Sequence, residues 1–435
     1  MTETNQRNST ADQRSTLLDL YKTAVARAHP ARCLPQHLPR VPAGGRIIVV
    51  GAGKAAAAMA VAAEQFYQQH GEADRVSGFV TTRHGYVLPT ELIEVIEAGH
   101  PVPDAASAAA AERTLTLAKT AGPNDIVLVL LSGGASALWN APVAGVSFDA
   151  KQALTKALLK SGARINEMNC VRKHLSRIKG GKLVAAVHPA RLLTLAISDV
   201  PGDEPATIGS GPTVGDPTTL ADAREVLARF GVVPSDEIKA ALNDPANETL
   251  KPGADALSHI DYRLIAAPGL SLAAAGEQAQ ALGYRVKILG DSLEGEARDV
   301  GRAHADLAKQ ALAGGERTAL LSGGEFTVTV RGNGAGGPNQ EYALGLAIGL
   351  DGAPGISALA ADTDGADGGG GNADDPAGAM VFPDTLSRAS ALDLKAATFL
   401  ANNDSTNYFS RLNDLVQCGP TQTNVNDFRA ILIDP

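Results

Sequence analysis

The stretch Arg46–Ala56, RIIVVGAGKAA, decides the fold. Its opening residues are a continuous β-branched run without polar alternation, the pattern of a strand buried on both faces. The run ends at Gly51 and opens into the alanine-rich stretch Lys54–Ala63, whose composition favours helix. The same grammar recurs along the chain. Asp125–Leu131 ends at Ser132-Gly133-Gly134, Leu192–Ile197 at Ser198-Asp199, and Tyr262–Ala267 at Pro268-Gly269. Arg285–Leu289 ends at Gly290, and Thr318–Leu321 at Ser322-Gly323-Gly324. Strands separated by helical stretches imply βαβ units. In such sheets ligands bind beyond the C-terminal strand ends.

The 435 residues suit two domains. The polar segment Ser235–Ser258, with Pro245 and Pro252, suggests a boundary that gives domains 1–245 and 246–435. The fold class expected is α/β, two domains, each a mainly parallel sheet flanked by helices. The turns Leu131–Gly134 and Leu321–Gly324 share the letters LSGG, which suits either an internal repeat or chance.

Composition narrows the function. The net charge of −9 and the 4% aromatic content argue against nucleic-acid binding, which wants a basic surface and stacking rings. Three separated cysteines give neither a disulfide framework nor zinc spacing. A polar start and the lack of a long apolar run point to a cytoplasmic protein without membrane partners. Glycine is in excess, 46 against about 30 at ordinary usage. Since 21 of the 46 fall in seven turn regions, most of them after expected strands, the excess marks places where backbone meets ligand.

Six motifs carry possible chemistry. Gly51-Ala52-Gly53-Lys54-Ala55-Ala56 fits GxGxxA, but the next expected strand, Ser77–Thr82, runs into Arg83-His84 without the carboxylate a dinucleotide ribose requires. Arg83 leaves a 2′-phosphate reading open. What remains is a turn whose N–H groups and Lys54 ammonium suit an anion, or a plain packing turn. Ser132-Gly133-Gly134-Ala135-Ser136 suits an anion nest or a simple βα turn. Asn166–Lys182 reads as an amphipathic helix closed by Gly180-Gly181. Between Arg172 and Lys182 it carries five basic residues, His174 and no acid, which is either an anion field or a solvated face. Asp199 and Asp203 lie four apart after a buried strand and suit Mg²⁺, a general base, or an Asx-type turn. Arg331–Glu341, RGNGAGGPNQE, reads as a ligand-hugging loop or a flexible one. Asp362-Thr363-Asp364-Gly365-Ala366-Asp367 starts like a calcium loop, but Ala373 stands where the twelfth-position Glu belongs.

Taken jointly, these stretches resemble the type-2 glycerate kinase family, bacterial glycerate 2-kinases with a C-terminal MOFRL domain. The matching segments are Val49–Ala60, GHPVPD at Gly99–Asp104, LLSGGASAL, INEMNCVRKHLSRIKGGKL, AISDVPGDEPATIGSGPTVGDPTT, LSGGEFTVTVRGNGAGGPNQE, DTDGADG and Cys418–Ile433. The resemblance implies a Rossmann-like N-terminal domain, a MOFRL-type C-terminal domain and a site in the cleft between them. It implies ATP-dependent phosphorylation of D-glycerate at the 2-hydroxyl, and puts the family's lysine on Lys54 and an aspartate of its DTDG motif on Asp362. Many members carry Arg within GGRNQE where this chain has Pro338, so Arg331 or Arg172 is left to supply that charge. Some members are labelled hydroxypyruvate reductase, often in tartrate degradation.

The expected site therefore comprises Lys54, Asp199, Asp362 and Arg172 as catalytic residues. Ser132, Gly133, Gly134, Ser136, Gly334 and Gly336 are expected to hold the nucleotide phosphates. Gly53, Lys54, Arg172 and Asp364 are expected to bind substrate, with Asp199 and Asp203 on Mg²⁺. The ligands expected are D-glycerate, ATP and Mg²⁺, on a monomer or homodimer. An NAD(P)H-dependent hydroxypyruvate reductase is the alternative, and a non-catalytic binding protein a third.

Overall fold

The structure, a computed structural model, describes residues 3–368 and 374–435. Gly369–Gly371 and Ala373, part of the glycine-rich acidic stretch, lie outside the described residues. The chain divides into two compact units, Cys33–Ile265, and Met1–Arg32 with Ala266–Pro435.

The first unit holds strands β1 (Ile47–Ala52), β2 (Val76–Arg83), β3 (Ile93–Ala98), β4 (Ile126–Leu131), β5 (Arg191–Ile197) and β6 (Ile260–Ala266). They form one sheet in the order β3-β2-β1-β4-β5-β6. The pairs from β3 through β5 are parallel. Every residue of β1 and β4 is buried, as their unbroken aliphatic runs require. Ile48, Val50, Val127, Val129 and Leu131 fill one core, while Ile47, Val49, Leu128 and Leu130 are equally buried on alternate positions. The order is that of a dinucleotide-binding sheet, and it reverses direction between β1 and β4. The glycine turns after these two strands therefore meet at the switch point.

The second unit holds β7 (Arg285–Leu293), β8 (Thr318–Gly324), β9 (Ile356–Asp362), β10 (Gly378–Val381), β11 (Leu415–Val416) and β12 (Asp427–Ile433). Their order is β11-β10-β9-β12-β8-β7. The expectation of a mainly parallel sheet fails here. Only β7 and β8, joined through the helix Ala297–Ala313, run parallel; the remaining neighbours are antiparallel. A parallel pair needs a crossover element, whereas the β9–β10 connection lacks an intervening helix in its described part and the chain returns antiparallel.

Three further expectations are corrected. The boundary at 245/246 is displaced because β6 completes the first sheet, which carries that unit to Ile265. The N-terminal segment belongs to the second unit. Its helix Glu3–Ala28 places Leu17, Leu20, Tyr21 and Ala24 at helical spacing into a core with Leu272, Leu321, Leu359 and Phe428. The two LSGG segments are not equivalent, since Ser132–Gly134 follows its strand while Ser322–Gly324 lies inside β8.

Candidate active site

The turn after β1 is stitched to the turn after β4. The Gly53 N–H donates to the Thr81 carbonyl (3.1 Å), the Lys54 N–H to the Gly133 carbonyl (2.8 Å), and the Ala55 N–H to the Ser132 hydroxyl (3.0 Å). Gly53 stands at φ +141°, and a Cβ there would collide with Ser132. The backbone donors expected to receive an anion at Gly53–Ala55 are therefore engaged inside the protein, and the lysine side chain is what the turn offers. Ser132 is fully buried, so it fastens the two turns together. By contrast, the N–H groups of Gly133 and Gly134 have no hydrogen-bond partner among the described residues. The backbone donors left open among the described residues are thus those of the β4 turn.

Around that turn lie Lys54, His100 and Asp199. A Cβ added at Gly134 would stand 2.9 Å from the His100 ring and 3.6 Å from Cγ of Lys54. One added at Gly133 would collide with the Asp199 carboxylate, so glycine is what admits an acid against this turn. Asp203, expected beside Asp199 on a metal, has its Oδ1 buried without a hydrogen-bond partner among the described residues. With Glu204 it acts on Tyr262, whose phenol is raised above its ordinary value first by burial and then by these two charges. Among the described residues no group of three or more His, Cys, Asp or Glu side chains is arranged to hold a metal ion.

The basic run is divided by the fold. Its helix spans Ile165–His174 and ends earlier than expected, because residues 175–181 turn away and Ser176 bridges to Pro142. Gly180 and Gly181, both at positive φ, open the next helix, Lys182–Val187, instead of closing this one. Lys173 pairs with Asp216 (3.4 Å), Arg177 with Glu112, and His174 bonds Glu248 (2.8 Å). Lys182 donates to the Ser176 and Asn247 carbonyls, at 2.8 Å each. Arg172 and Lys179 have no carboxylate partner among the described residues. Both donate to the Ser136 hydroxyl at 2.7 Å, and that oxygen lies 2.8 Å from the Ser210 hydroxyl. Lys179 also reaches the Ser136 carbonyl (2.5 Å), and Arg172 reaches Asn169 (3.2 Å). The sequence reading did not find Lys151. It is buried on the helix Phe148–Lys160, its Nζ without a hydrogen-bond partner. Burial, then the charges of Arg172 and Lys182, lower its pKa to about 7.

In the second unit, Asp362 ends β9 and remains partly exposed. Asp364 is buried, its carboxylate accepting the Ala366 N–H (3.0 Å), while Asp362 accepts the Asp364 N–H (2.8 Å). Both are Asx-type turn bonds. Asp367 caps the helix Pro338–Leu350, accepting the N–H groups of Asn339 (2.9 Å) and Gln340 (2.8 Å). Burial in the first place, with the Asp427 charge adding to it, raises the Asp367 pKa to about 7. Glu341 takes Arg298 (2.7 Å) and Asn403 (2.9 Å). The polar letters of GGPNQE thus anchor the helix start within the protein. Pro338 is its first residue, where the missing N–H costs nothing. Arg331 and the glycines at 334 and 336 are exposed, and the Gly334 N–H donates to the Asn402 carbonyl (3.0 Å).

Fold and charge define the class: an α/β enzyme that gathers Arg172, Lys179 and the open backbone donors of Gly133 and Gly134 beside a strand-order reversal. Residues 16–243 match the family described as "Domain of unknown function (DUF4147)", and residues 318–427 the "MOFRL family". A "D-glycerate 2-kinase" of Thermotoga maritima is 40% identical, covering 94% of this chain and 96% of its own. A "Putative hydroxypyruvate reductase" of Agrobacterium vitis is 47% identical, covering 97% and 94% respectively. The crystal structure of the Thermotoga maritima glycerate kinase superposes with a TM-score of 0.89 at 38% identity, covering 98% of this chain and all of that one. The chain belongs to the type-2 glycerate kinase family. Among the described residues, no helix is long and apolar enough to cross a membrane.

Proposed function

We propose that the protein transfers the γ-phosphoryl group of ATP to the 2-hydroxyl of D-glycerate, giving 2-phosphoglycerate and ADP. One observation carries the reading: Arg172 and Lys179, both without carboxylates, converge on Ser136 beside the free N–H groups of Gly133 and Gly134. Phosphoryl transfer asks for positioning and charge stabilisation more than for covalent chemistry. Lys54 supplies a cation to the glycerate carboxylate or to the moving phosphoryl group. The 2-hydroxyl oxygen forms the new bond to phosphorus as the bond to the β–γ bridging oxygen breaks, and its proton passes to a carboxylate. Within the second unit, Asp362 is the more accessible of two carboxylates, Asp364 being buried and tied into its turn. Asp199 suits Mg²⁺, because a hard oxygen ligand held against the phosphate turn is what that ion takes alongside phosphate. When bound, Mg²⁺ would neutralise charge on the phosphate chain.

The reductase reading meets two obstacles. The first-turn donors that would hold a pyrophosphate are engaged, and β2 ends in Thr81-Thr82-Arg83 with Arg83 stacked 3.7 Å from the Tyr86 ring centroid. We place the enzyme in the cytoplasm, where its three cysteines, none of them in a disulfide, stay reduced. Phosphorus NMR of a mixture with ATP, Mg²⁺ and D-glycerate should show 2-phosphoglycerate appearing with ADP. NADH oxidation with hydroxypyruvate, and no ADP release with glycerate, would replace this function by the reductase.

A further inference from the structure

Lys151 is not explained by packing. It is 4% exposed, and its ammonium has no hydrogen-bond partner. Lys179, 2% exposed, is lowered well below the ordinary lysine range by burial first, then by Arg172 and Lys151. A buried charge normally has a counter-charge or a full set of hydrogen bonds. This chain supplies such partners nearby, at Lys173 with Asp216 and at His174 with Glu248, but among the described residues none for Lys151, Arg172 or Lys179. Like charges held together without an acid are a standing cost in the empty protein, and the cost is relieved by an anion.

The number of charges indicates which anion. A glycerate carboxylate brings one negative charge, whereas a triphosphate chain brings several. We propose that Lys151, Arg172 and Lys179 form the subsite for the phosphate chain of the nucleoside triphosphate, with Lys151 as a residue of that subsite. Arg172 and Lys179, which already meet at the Ser136 hydroxyl, bond phosphate oxygens, and Lys151 supplies the third charge. Arg172 thereby leaves the glycerate carboxylate to Lys54. The assignment rests on the kinase reading for its nucleotide, though not for its anion.

Titration calorimetry of the full chain with inorganic tripolyphosphate, and separately with D-glycerate, tests it. Lys151→Met should weaken tripolyphosphate binding about tenfold to a hundredfold, the range for a lost charged partner. Its glycerate affinity should stay within about twofold, and the KM for ATP should rise. The ligand-free variant should melt at a higher temperature than the wild type, since an apolar side chain of similar length removes an unpaired buried cation. Lys151→Arg should keep most of the tripolyphosphate affinity. Unchanged tripolyphosphate affinity in Lys151→Met, a loss falling on glycerate instead, or a lower melting temperature with binding intact would each overturn the subsite. A wild type that binds tripolyphosphate through Lys151 yet makes no phosphoglycerate would retain the subsite and overturn the kinase.

Discussion

Lys54 is the residue whose side chain, and not its backbone, carries the first glycine turn. Its N–H is bonded to Gly133, so removing the side chain leaves the turn's stitching in place. Lys54→Ala should therefore lower kcat by about 10²–10³, the scale of a lost electrostatic stabiliser, with an unchanged circular dichroism spectrum. Near-normal turnover would remove Lys54 from the chemistry. Asp367 makes a different prediction, about stability. Its pKa is raised to about 7, so the folded unit holds the proton more tightly than the unfolded chain does. The stability it contributes is fully present below about pH 4 and is lost as the pH rises through about 7. Calorimetry from pH 5 to 8 should show the wild-type Tm falling with pH, and Asp367→Asn should flatten that slope. Parallel slopes would show that the carboxyl stays ionised throughout.

At the scale of elements, the two glycine turns behave as one device, fastened by Ser132. Replacing it with alanine strands the buried Ala55 N–H, at a cost of about 1–3 kcal/mol. Thermal unfolding of Ser132→Ala should show that loss together with a fall in kcat, because the Lys54 turn is no longer fixed. A variant with full activity and unchanged Tm would show that the stitch is idle. This coupling was not legible in the sequence, where both turns read as nests of donors. A motif specifies which groups exist, and only the sheet order decides which of them face each other. The central strands β1 and β4 were legible because they are unbroken aliphatic runs. In β3, IEVIEA, acids interrupt the pattern, and β10 and β11 are too short to carry a periodicity. Lys151 did leave a signal. It stands three and seven residues before Leu154 and Leu158, on the buried stripe of its helix, where a lysine has no ordinary reason to be. The roles of Asn339, Gln340 and Glu341 were hidden because their partners are remote in sequence.

At the scale of the molecule, one unit is continuous in sequence and the other is not. The segment Cys33–Ile265 contains its whole sheet and core, so expressed alone it should fold, with a cooperative melt and helical circular dichroism. Ala266–Pro435 alone lacks the helix that places Leu17, Leu20, Tyr21 and Ala24 on its core. It should bind a hydrophobic dye and aggregate, and fusing Met1–Arg32 to it should restore a cooperative transition. A well-folded Ala266–Pro435 would show the helix to be dispensable.

The second sheet has a further property that concerns time more than energy. β12 follows every other strand of its sheet in the chain, yet it lies between β9 and β8. The helix Glu3–Ala28 leaves the ribosome before all of Cys33–Ile265, and the strands it covers leave after. At about 5–20 residues per second, its apolar stripe waits tens of seconds for a surface to cover. The nascent chain therefore carries a finished domain flanked by two unfinished pieces of another. A message truncated before β12 yields a product whose second sheet is missing its middle, which makes this half of the enzyme the one that most needs chaperones.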